Sequence, residues 1–291
     1  MAGAKKAGTF AKRDWGPYLF VAPGFFWMMV FVLIPLVGIL YFSFWSPTFT
    51  GMERVYTLNN WKEFFVNSVY RDALLRTVKL TVIVVALCIL IGYPVAYYLT
   101  MMVEKQVNRL TLLFLCIIPF WTSLIIRALA WVPMLGIYGA VNEILLTLHL
   151  TRQPLQWLLF SQFGIVLTMT HLYVVFIVGP ITFSLSRIDP YLIDAAKDLG
   201  ATPLTIFRRI VFPLSLPGLA AGTMFIFVMA MGDFATYGIV GGFKYTSLPL
   251  LIVTKVASIS WPAAATAGVA LTVVTMAGIY GLMKLVDLRN I

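Results

Sequence analysis

The sequence predicts an all-α integral membrane protein with six transmembrane helices and a cytoplasmic loop that carries short helices of its own. Hydrophobic residues make up 61% of the 291 residues and charged residues only 11%, with a mean hydropathy of +0.94. Soluble proteins are far more polar. Six apolar stretches approach the roughly 20 residues that a helix needs to cross the hydrocarbon core. Basic residues are concentrated on one side of these stretches, as is typical of membrane proteins.

The predicted spans cover residues 18–44, 77–101, 110–135, 163–186, 214–238 and 265–286. The first follows a basic flank, as a signal peptide does, but its apolar run is too long for a signal core. We therefore expect the first span to be retained as a helix. No repeat or low-complexity linker divides the chain, so residues 1–291 are expected to form a single transmembrane domain.

The distribution of Lys and Arg predicts the orientation. Of the 21 basic residues, 12 lie on the same side as the N-terminus. Those that flank the first and last spans are Lys5, Lys6, Lys12, Arg13, Lys284 and Arg289. Because cytoplasmic segments carry an excess of Lys and Arg, both termini are expected in the cytoplasm. The net charge of +10 follows from this asymmetry and implies no nucleic-acid partner.

The sequence lacks the patterns of metal, disulfide and nucleotide chemistry. Cys88 and Cys116 both fall inside predicted spans, and His171 has no second ligand at helical spacing. No Walker A motif or nucleophile elbow occurs. We therefore expect no catalytic residue, no metal site and no cofactor. Uphill transport by this chain would need an ion gradient or the ATPase activity of another subunit.

The loop over residues 187–213 carries clear helix signals. Asp189 is a good N-cap, Pro190 suits the first helical position, and Gly200 can supply the left-handed residue that ends a helix. An apolar face recurs at helical spacing: Leu192, Ala195, Ala196 and Leu199. Thr202 and Pro203 begin a second short helix that is predicted to end near Pro213.

The outer face of the first of these helices carries Asp194, Lys197 and Asp198, which could pair with charges of a soluble partner. The alternative is an interfacial helix that lies on the lipid headgroups. Two acids and few aromatics suit an anionic membrane surface poorly, so we favour docking of a protein partner.

The same loop resembles the EAA motif of importer-type ABC permeases in the pattern Asp194-Ala195-Ala196, Gly200 and Ile210-Val211-Phe212-Pro213. Asp194 stands where that motif usually has Glu, and Phe212 where it often has Leu. The resemblance implies that Asp194, Ala195, Ala196, Gly200 and Pro213 couple the chain to an ATP-hydrolysing subunit. Further segments resemble the spermidine/putrescine branch of that family: Thr57–Trp61, Gly92–Tyr97, Pro119–Ser123, Arg127, Gly232–Phe234 and Gly241–Gly242.

This resemblance implies the partners and the location of the chain. Two ATP-binding subunits, a second homologous permease and an extracytoplasmic solute-binding protein are expected around it. The implied location is the bacterial cytoplasmic (inner) membrane, in contact with lipid. The implied solute is a small cation, most simply a polyamine. Relatives that import opines, aminobutyrate or phosphonates share several of these segments, and a stand-alone secondary transporter is the competing class.

Charged side chains inside spans are functional candidates because they are costly to insert. Asp233 is the candidate for contacting an ammonium group, and Arg127 is expected at a similar depth, so it would either pair with Asp233 or contact an anionic solute. Aromatic residues that could add cation–π faces along the solute pathway are Trp121, Trp131, Tyr173, Phe234 and Tyr237.

Overall fold

The computed structural model describes residues 16–48 and 51–285. Within them, six helices are long and apolar enough to cross a membrane, which confirms the predicted fold class. In order, these first to sixth spans are Phe20–Phe42, Ser68–Met102, Leu124–Thr147, Gln162–Leu185, Pro203–Met231 and Trp261–Lys284. The basic residues Lys5, Lys6, Lys12, Arg13 and Arg289, on which the predicted orientation partly depends, lie outside the described residues.

Several spans are composed of more than one helical segment. The segments are Gly16–Met28, Met29–Leu33 and Ile34–Phe42 in the first; Ser68–Tyr97 and Tyr98–Met102 in the second; Leu124–Leu135 and Ala140–Thr147 in the third; Gln162–Tyr173 and Val175–Leu185 in the fourth; Pro203–Ile206, Phe207–Val211 and Phe212–Met231 in the fifth; and Trp261–Leu285 in the sixth. The shorter helices outside the spans are Asn59–Val66, Gln106–Ile117, Pro190–Asp198, Ala235–Ile239 and Leu248–Ala257, with a 3-10 turn at Ile118–Trp121.

The apolar stretch predicted as one span over residues 110–135 is two helices, so that boundary is wrong. The chain is extended at Thr122 before the third span begins at Leu124. The carbonyl of Pro119 accepts hydrogen bonds from the backbone N–H (3.2 Å) and the hydroxyl (2.7 Å) of Thr122. These local bonds close the 3-10 turn Ile118–Trp121, after which the chain is extended, an effect that hydropathy alone does not reveal.

A small β-hairpin, which the sequence did not predict, connects the first span to the helix Asn59–Val66. Its strands are Trp45–Thr48 (β1) and Gly51–Tyr56 (β2), paired antiparallel. The buried side-chain amide of Asn60 donates to the carbonyls of Ser43 (3.0 Å) and Trp45 (2.8 Å). Asn60 thereby fixes the hairpin against the end of the first span.

The core lies where the second, fourth and fifth spans meet. Ile177 of the fourth span is fully buried there and faces Gly92 of the second span and Gly222 of the fifth. A Cβ atom at Gly222 would lie 2.7 Å from Cγ1 of Ile177, and one at Gly92 would also collide with this side chain. Small residues let membrane helices approach closely, and here the absence of two side chains accommodates one isoleucine.

Candidate functional site

Asp233 lies in a break of the backbone rather than inside a helix. The fifth span was predicted to run from 214 to 238, but its helix ends at Met231 and a new short helix begins at Ala235. Asp233 is 8% exposed between the two. Its Oδ1 accepts the backbone N–H of Thr236 at 2.9 Å, which satisfies a free donor in the first turn of the short helix. The break therefore aims a carboxylate into the protein.

The carboxylate of Asp233 is held by neutral donors. The hydroxyl of Thr236 donates to its Oδ2 at 2.6 Å, and the hydroxyl of Tyr173 donates to the same oxygen at 2.8 Å. The only ion pairs within 4.0 Å among residues 16–48 and 51–285 are Arg71–Asp72 and Lys197–Asp194. The structure thus joins Asp233 to Tyr173 of the fourth span, and the pairing of Asp233 with Arg127, one of the two roles considered for Arg127, is not formed.

A cavity of about 430 Å³ opens beside Asp233 where the third, fourth and fifth spans meet. Tyr173, Phe234 and Thr236 line it together with apolar side chains such as Leu124 and Val228. Its walls are therefore mostly apolar, with the Asp233 carboxylate next to the hydroxyls of Tyr173 and Thr236 and with Ser123 as a further hydroxyl-bearing residue. Such a cavity can hold an alkyl chain and a single cationic or hydrogen-bonding group.

Arg127 borders a separate, smaller cavity. Its side chain is 9% exposed, and it lines a cavity of about 180 Å³ with Trp131 and His171. The indole N–H of Trp131 donates to Nδ1 of His171 at 3.2 Å. The Nε of Arg127 is buried and has no hydrogen-bond partner among the described residues. The two charged candidates therefore occupy neighbouring cavities rather than a single site.

The aromatic candidates separate in the same way. Tyr173 and Phe234 line the Asp233 cavity, and Trp131 lies by Arg127. Trp121 is 76% exposed and lines neither cavity, whereas Tyr237 is completely buried in the core. Thr236 was not among the residues predicted for this site. An available signal was Asp233 itself, since an aspartate at the start of a helix often accepts the backbone N–H three residues on, as it does here from Thr236.

The loop after the fourth span begins and ends its first helix as predicted. Oδ1 of Asp189 accepts the backbone N–H of Tyr191 at 3.0 Å, and the helix runs over Pro190–Asp198. Gly200 has φ +79°. The N–H groups of Gly200 and Ala201 donate to the carbonyls of Lys197 (2.8 Å) and Ala196 (2.9 Å), which is the Schellman pattern of a helix end.

The predicted apolar face of this helix is largely exposed instead of packed. Leu199 is 89% and Leu192 50% exposed, and the neighbouring Tyr191 is 82% exposed. Ile193 and Ala196 are the side chains that pack against the core. Lys197 Nζ lies 2.9 Å from Asp194 Oδ1, and the two side chains are 61% and 62% exposed. The exposed surface of the helix therefore carries this ion pair beside the apolar side chains of Tyr191, Leu192 and Leu199. That Asp194, Lys197 and Asp198 pair with the charges of a partner stays a prediction.

The second helix of this loop does not end at Pro213, contrary to the prediction. It begins at Pro203 and continues through the π-helical turn Phe207–Val211 into the fifth span. A widened turn just before a proline relieves the clash between its ring and the preceding carbonyls. The loop is thus connected to the break at Asp233 by one continuous helix, Pro203–Met231.

Comparison with known proteins places this architecture in a family. Residues 88–291 match the family model described as binding-protein-dependent transport system inner membrane component. The chain is 32% identical over 265 residues to the spermidine/putrescine transport system permease protein PotB of Escherichia coli (strain K12), covering 90% of this chain and 93% of PotB. PotB of Haemophilus influenzae is 30% identical over 255 residues, with coverage of 87% and 88%.

A solved structure shares the fold. A bacterial ABC transporter involved in the import of the acidic polysaccharide alginate contains a chain that matches with a TM-score of 0.70 and 20% identity, covering 94% of this chain and 96% of that one. The chain belongs to the family of binding-protein-dependent transport system inner membrane components, the permease subunits of ABC importers.

Proposed function

We propose that this permease forms half of the translocation pathway for a small cationic solute, most specifically a polyamine such as spermidine or putrescine. We base this on the Asp233 carboxylate, which lines a cavity of about 430 Å³ and has no cationic partner among the described residues. An ammonium group would supply the missing positive charge. The names of the relatives from Escherichia coli and Haemophilus influenzae support the same solute class.

The surroundings of Asp233 suit a molecule with ammonium groups on a methylene chain. Apolar walls formed by residues such as Leu124 and Val228 favour the chain. The rings of Tyr173 and Phe234 lie in the same lining and offer aromatic faces to a cation. Trp121 and Tyr237 lie outside this lining, so we assign the solute contact to Asp233, Tyr173 and Phe234.

Energy for transport would come from ATP hydrolysis on a separate subunit. The exposed apolar residues Tyr191, Leu192 and Leu199 form a surface that a soluble partner can cover. Ala195 belongs to the same helix, and Gly200 fixes where that helix ends. We infer that two ATP-binding subunits dock on this helix and its counterpart in a second homologous permease. A solute-binding protein would deliver the solute from the other side of the inner membrane.

In this proposal residues 1–291 act as one transmembrane domain with cytoplasmic termini and no catalytic chemistry of their own. Asp194, Ala195, Ala196 and Gly200 serve coupling directly. Pro213 has an indirect part, since it lies within the helix that leaves the docking segment.

The test is ATP-dependent uptake of labelled spermidine and putrescine into proteoliposomes that contain the complete complex with its binding protein. Unlabelled opines, aminobutyrate and an aminophosphonate serve as competitors. We expect saturable polyamine uptake that the competitors do not reduce. Uptake of a competitor without polyamine uptake would retain the permease assignment and transfer the solute contact to Arg127.

A further inference from the structure

A third cavity, of about 330 Å³, lies at the membrane boundary beside the helix Pro190–Asp198. It is bounded by the end of the second span at Thr100 and Met101, the end of the fourth span at Leu185 and Ser186, and Arg109 of the helix Gln106–Ile117. Four elements that begin or end at one membrane boundary therefore enclose it. This is the side that the Lys and Arg distribution predicts to be cytoplasmic.

The cavity carries more positive than negative charge. Its charged lining residues are Arg109, Lys197 and Asp194. Asp194 is already paired with Lys197 at 2.9 Å, so the charge of Arg109 is left uncompensated. Among the described residues Arg109 forms no ion pair within 4.0 Å. One monovalent anion would neutralise this lining.

The guanidinium group of Arg109 is held in place but has free donor capacity. Its Nη2 donates to the carbonyl of Val103 at 3.1 Å. Its Nε is buried and has no hydrogen-bond partner within the described ranges. A buried, unsatisfied donor of a charged group is costly, and an anionic oxygen in the cavity would offset the charge of the Arg109 guanidinium that lines it. The hydroxyls of Ser186 and Thr100 are polar neighbours in the same lining.

The rest of the lining is apolar. Met101, Leu185, Ile188 and Ile193 provide a hydrocarbon surface next to the charged residues. A free inorganic anion makes no use of such a surface, whereas a phospholipid presents a phosphate and the first carbons of its acyl chains together. Basic pockets between membrane helices on the cytoplasmic side are known to bind anionic lipid headgroups.

We propose that this cavity binds the phosphate group of an anionic phospholipid through Arg109. The lipid would lie between the second and fourth spans and the helix Pro190–Asp198. It would contact that helix on the side opposite to the exposed Tyr191 and Leu199, through Ile193 and Lys197. The position of the docking helix then depends on the composition of the surrounding membrane.

Lipid retention on the intact importer complex tests this directly. Wild type, Arg109→Gln and Arg187→Gln complexes are purified from nanodiscs of dioleoylphosphatidylcholine with dioleoylphosphatidylglycerol, and the retained lipid is measured by native mass spectrometry. Arg187 is the matched control, because it is an exposed arginine at the same boundary, stacks on Phe183 and does not line the cavity. We expect Arg109→Gln alone to reduce phosphatidylglycerol retention about fivefold, the effect of one basic residue near an anionic membrane surface.

Equal loss of phosphatidylglycerol retention in both variants, or no loss in either, would overturn the proposal. Each result would indicate that Arg109 has no particular role in holding the lipid. A second measurement does not depend on the folding of a variant. A photoactivatable phosphatidylglycerol is crosslinked to the wild-type complex, and labelled peptides are expected within residues 100–109 or 185–197. Labelling confined to other segments, or complete displacement of the lipid by inorganic phosphate, would assign the cavity to something other than a phospholipid.

Discussion

Asp233 illustrates how a carboxylate can be kept inside a membrane protein without an ion pair. Removing an ionised carboxylate from water is strongly unfavourable unless hydrogen bonds compensate. Thr236 and Tyr173 supply three such bonds, at 2.6–2.9 Å. Tyr173 comes from another span, so the arrangement depends on packing of the fourth span against the fifth. A bound ammonium group would add the charge compensation that these neutral donors lack.

The substitution Asp233→Asn removes the charge but keeps the shape and one acceptor oxygen for the N–H of Thr236. If Asp233 contacts the cationic solute, we expect apparent affinity for polyamine to fall about tenfold or more, the effect of losing a hydrogen bond to a charged group. The measurement is the concentration dependence of ATP-driven uptake. Asp72→Asn is the control, because the Asp72 side chain is 58% exposed and lies outside the cavity.

Unchanged polyamine uptake in Asp233→Asn, with assembly intact, would contradict the assignment. Loss of assembly in this variant would show a structural role instead. Thermal stability of the purified complex is measured alongside, because Asp233→Asn also changes the hydrogen bonds with Tyr173 and Thr236. Lower polyamine affinity in a complex that still assembles supports the solute contact.

At the scale of elements, the end of the docking helix depends on one backbone conformation. Gly200 adopts φ +79° and no atom lies within 4 Å of where its Cβ would be, so the constraint on this position is conformational and not steric crowding. A residue other than glycine in this region costs about 1–2 kcal/mol, whereas asparagine tolerates it better. The direction of the chain from the docking helix into the fifth span is set here.

We therefore expect Gly200→Val to impair docking of the ATP-binding subunit and to abolish uptake while membrane insertion stays normal. Gly200→Asn should retain both. Co-purification of the ATP-binding subunit with each variant is the measurement. Equal co-purification and uptake in the valine variant would show that the left-handed residue has no part in coupling.

A second element-scale feature is the contact of Gly222 with Ile177. A Cβ at Gly222 would lie 2.7 Å from Ile177 Cγ1 and 2.9 Å from its Cα. Gly222→Ala should therefore push the fifth span away from the fourth and destabilise the protein by about 1–3 kcal/mol, the usual cost of overpacking. Thermal unfolding in detergent measures this effect.

Gly179 provides the matched control, two residues from Ile177 on the same helix. No atom lies within 4 Å of the position its Cβ would take. Gly179→Ala should leave the unfolding temperature unchanged or raise it slightly, since alanine favours helix over glycine. A similar fall in unfolding temperature in both variants would mean that the contact between Gly222 and Ile177 does not cause the destabilisation.

At the scale of the whole molecule, the chain leaves much of the apolar surface of its spans uncovered. None of the most apolar window of the first span is buried within this chain, and only 28% of that of the second and sixth. Much of this surface must face lipid or another subunit. In the proposed complex, a homologous permease would cover part of this surface.

The purified chain reconstituted alone should therefore fail to accumulate polyamine, with or without an imposed proton or sodium gradient. The complete complex with ATP should do so. Accumulation by the chain alone would favour a secondary transporter and contradict the assignment of energy coupling to a separate ATP-binding subunit.

The sequence predicts the features of this fold that depend on residues close together in the chain. Apolar length predicts six spans, and the capping residues Asp189 and Gly200 predict the docking helix. Span boundaries predicted from hydropathy are wrong where a hydrogen bond or a widened turn determines where a helix ends or continues. The break at Thr122 depends on hydrogen bonds to Pro119, and continuation through Pro213 depends on a widened turn. The Tyr173–Asp233 bond joins residues 60 positions apart, which a single sequence does not reveal.

The continuous helix from Pro203 to Met231 can transmit a movement from the docking segment to the Asp233 cavity. Its 29 residues correspond to a length of about 44 Å at the helical rise per residue. If the helix moved as a rigid rod, a tilt of about 5° imposed at the docking end would displace the Asp233 end by about 4 Å. That movement exceeds the 2.8 Å bond between Tyr173 and Asp233. If an ATP-binding subunit docks as proposed, a small tilt of this helix would be expected to separate Tyr173 from Asp233 and free the carboxylate for a solute.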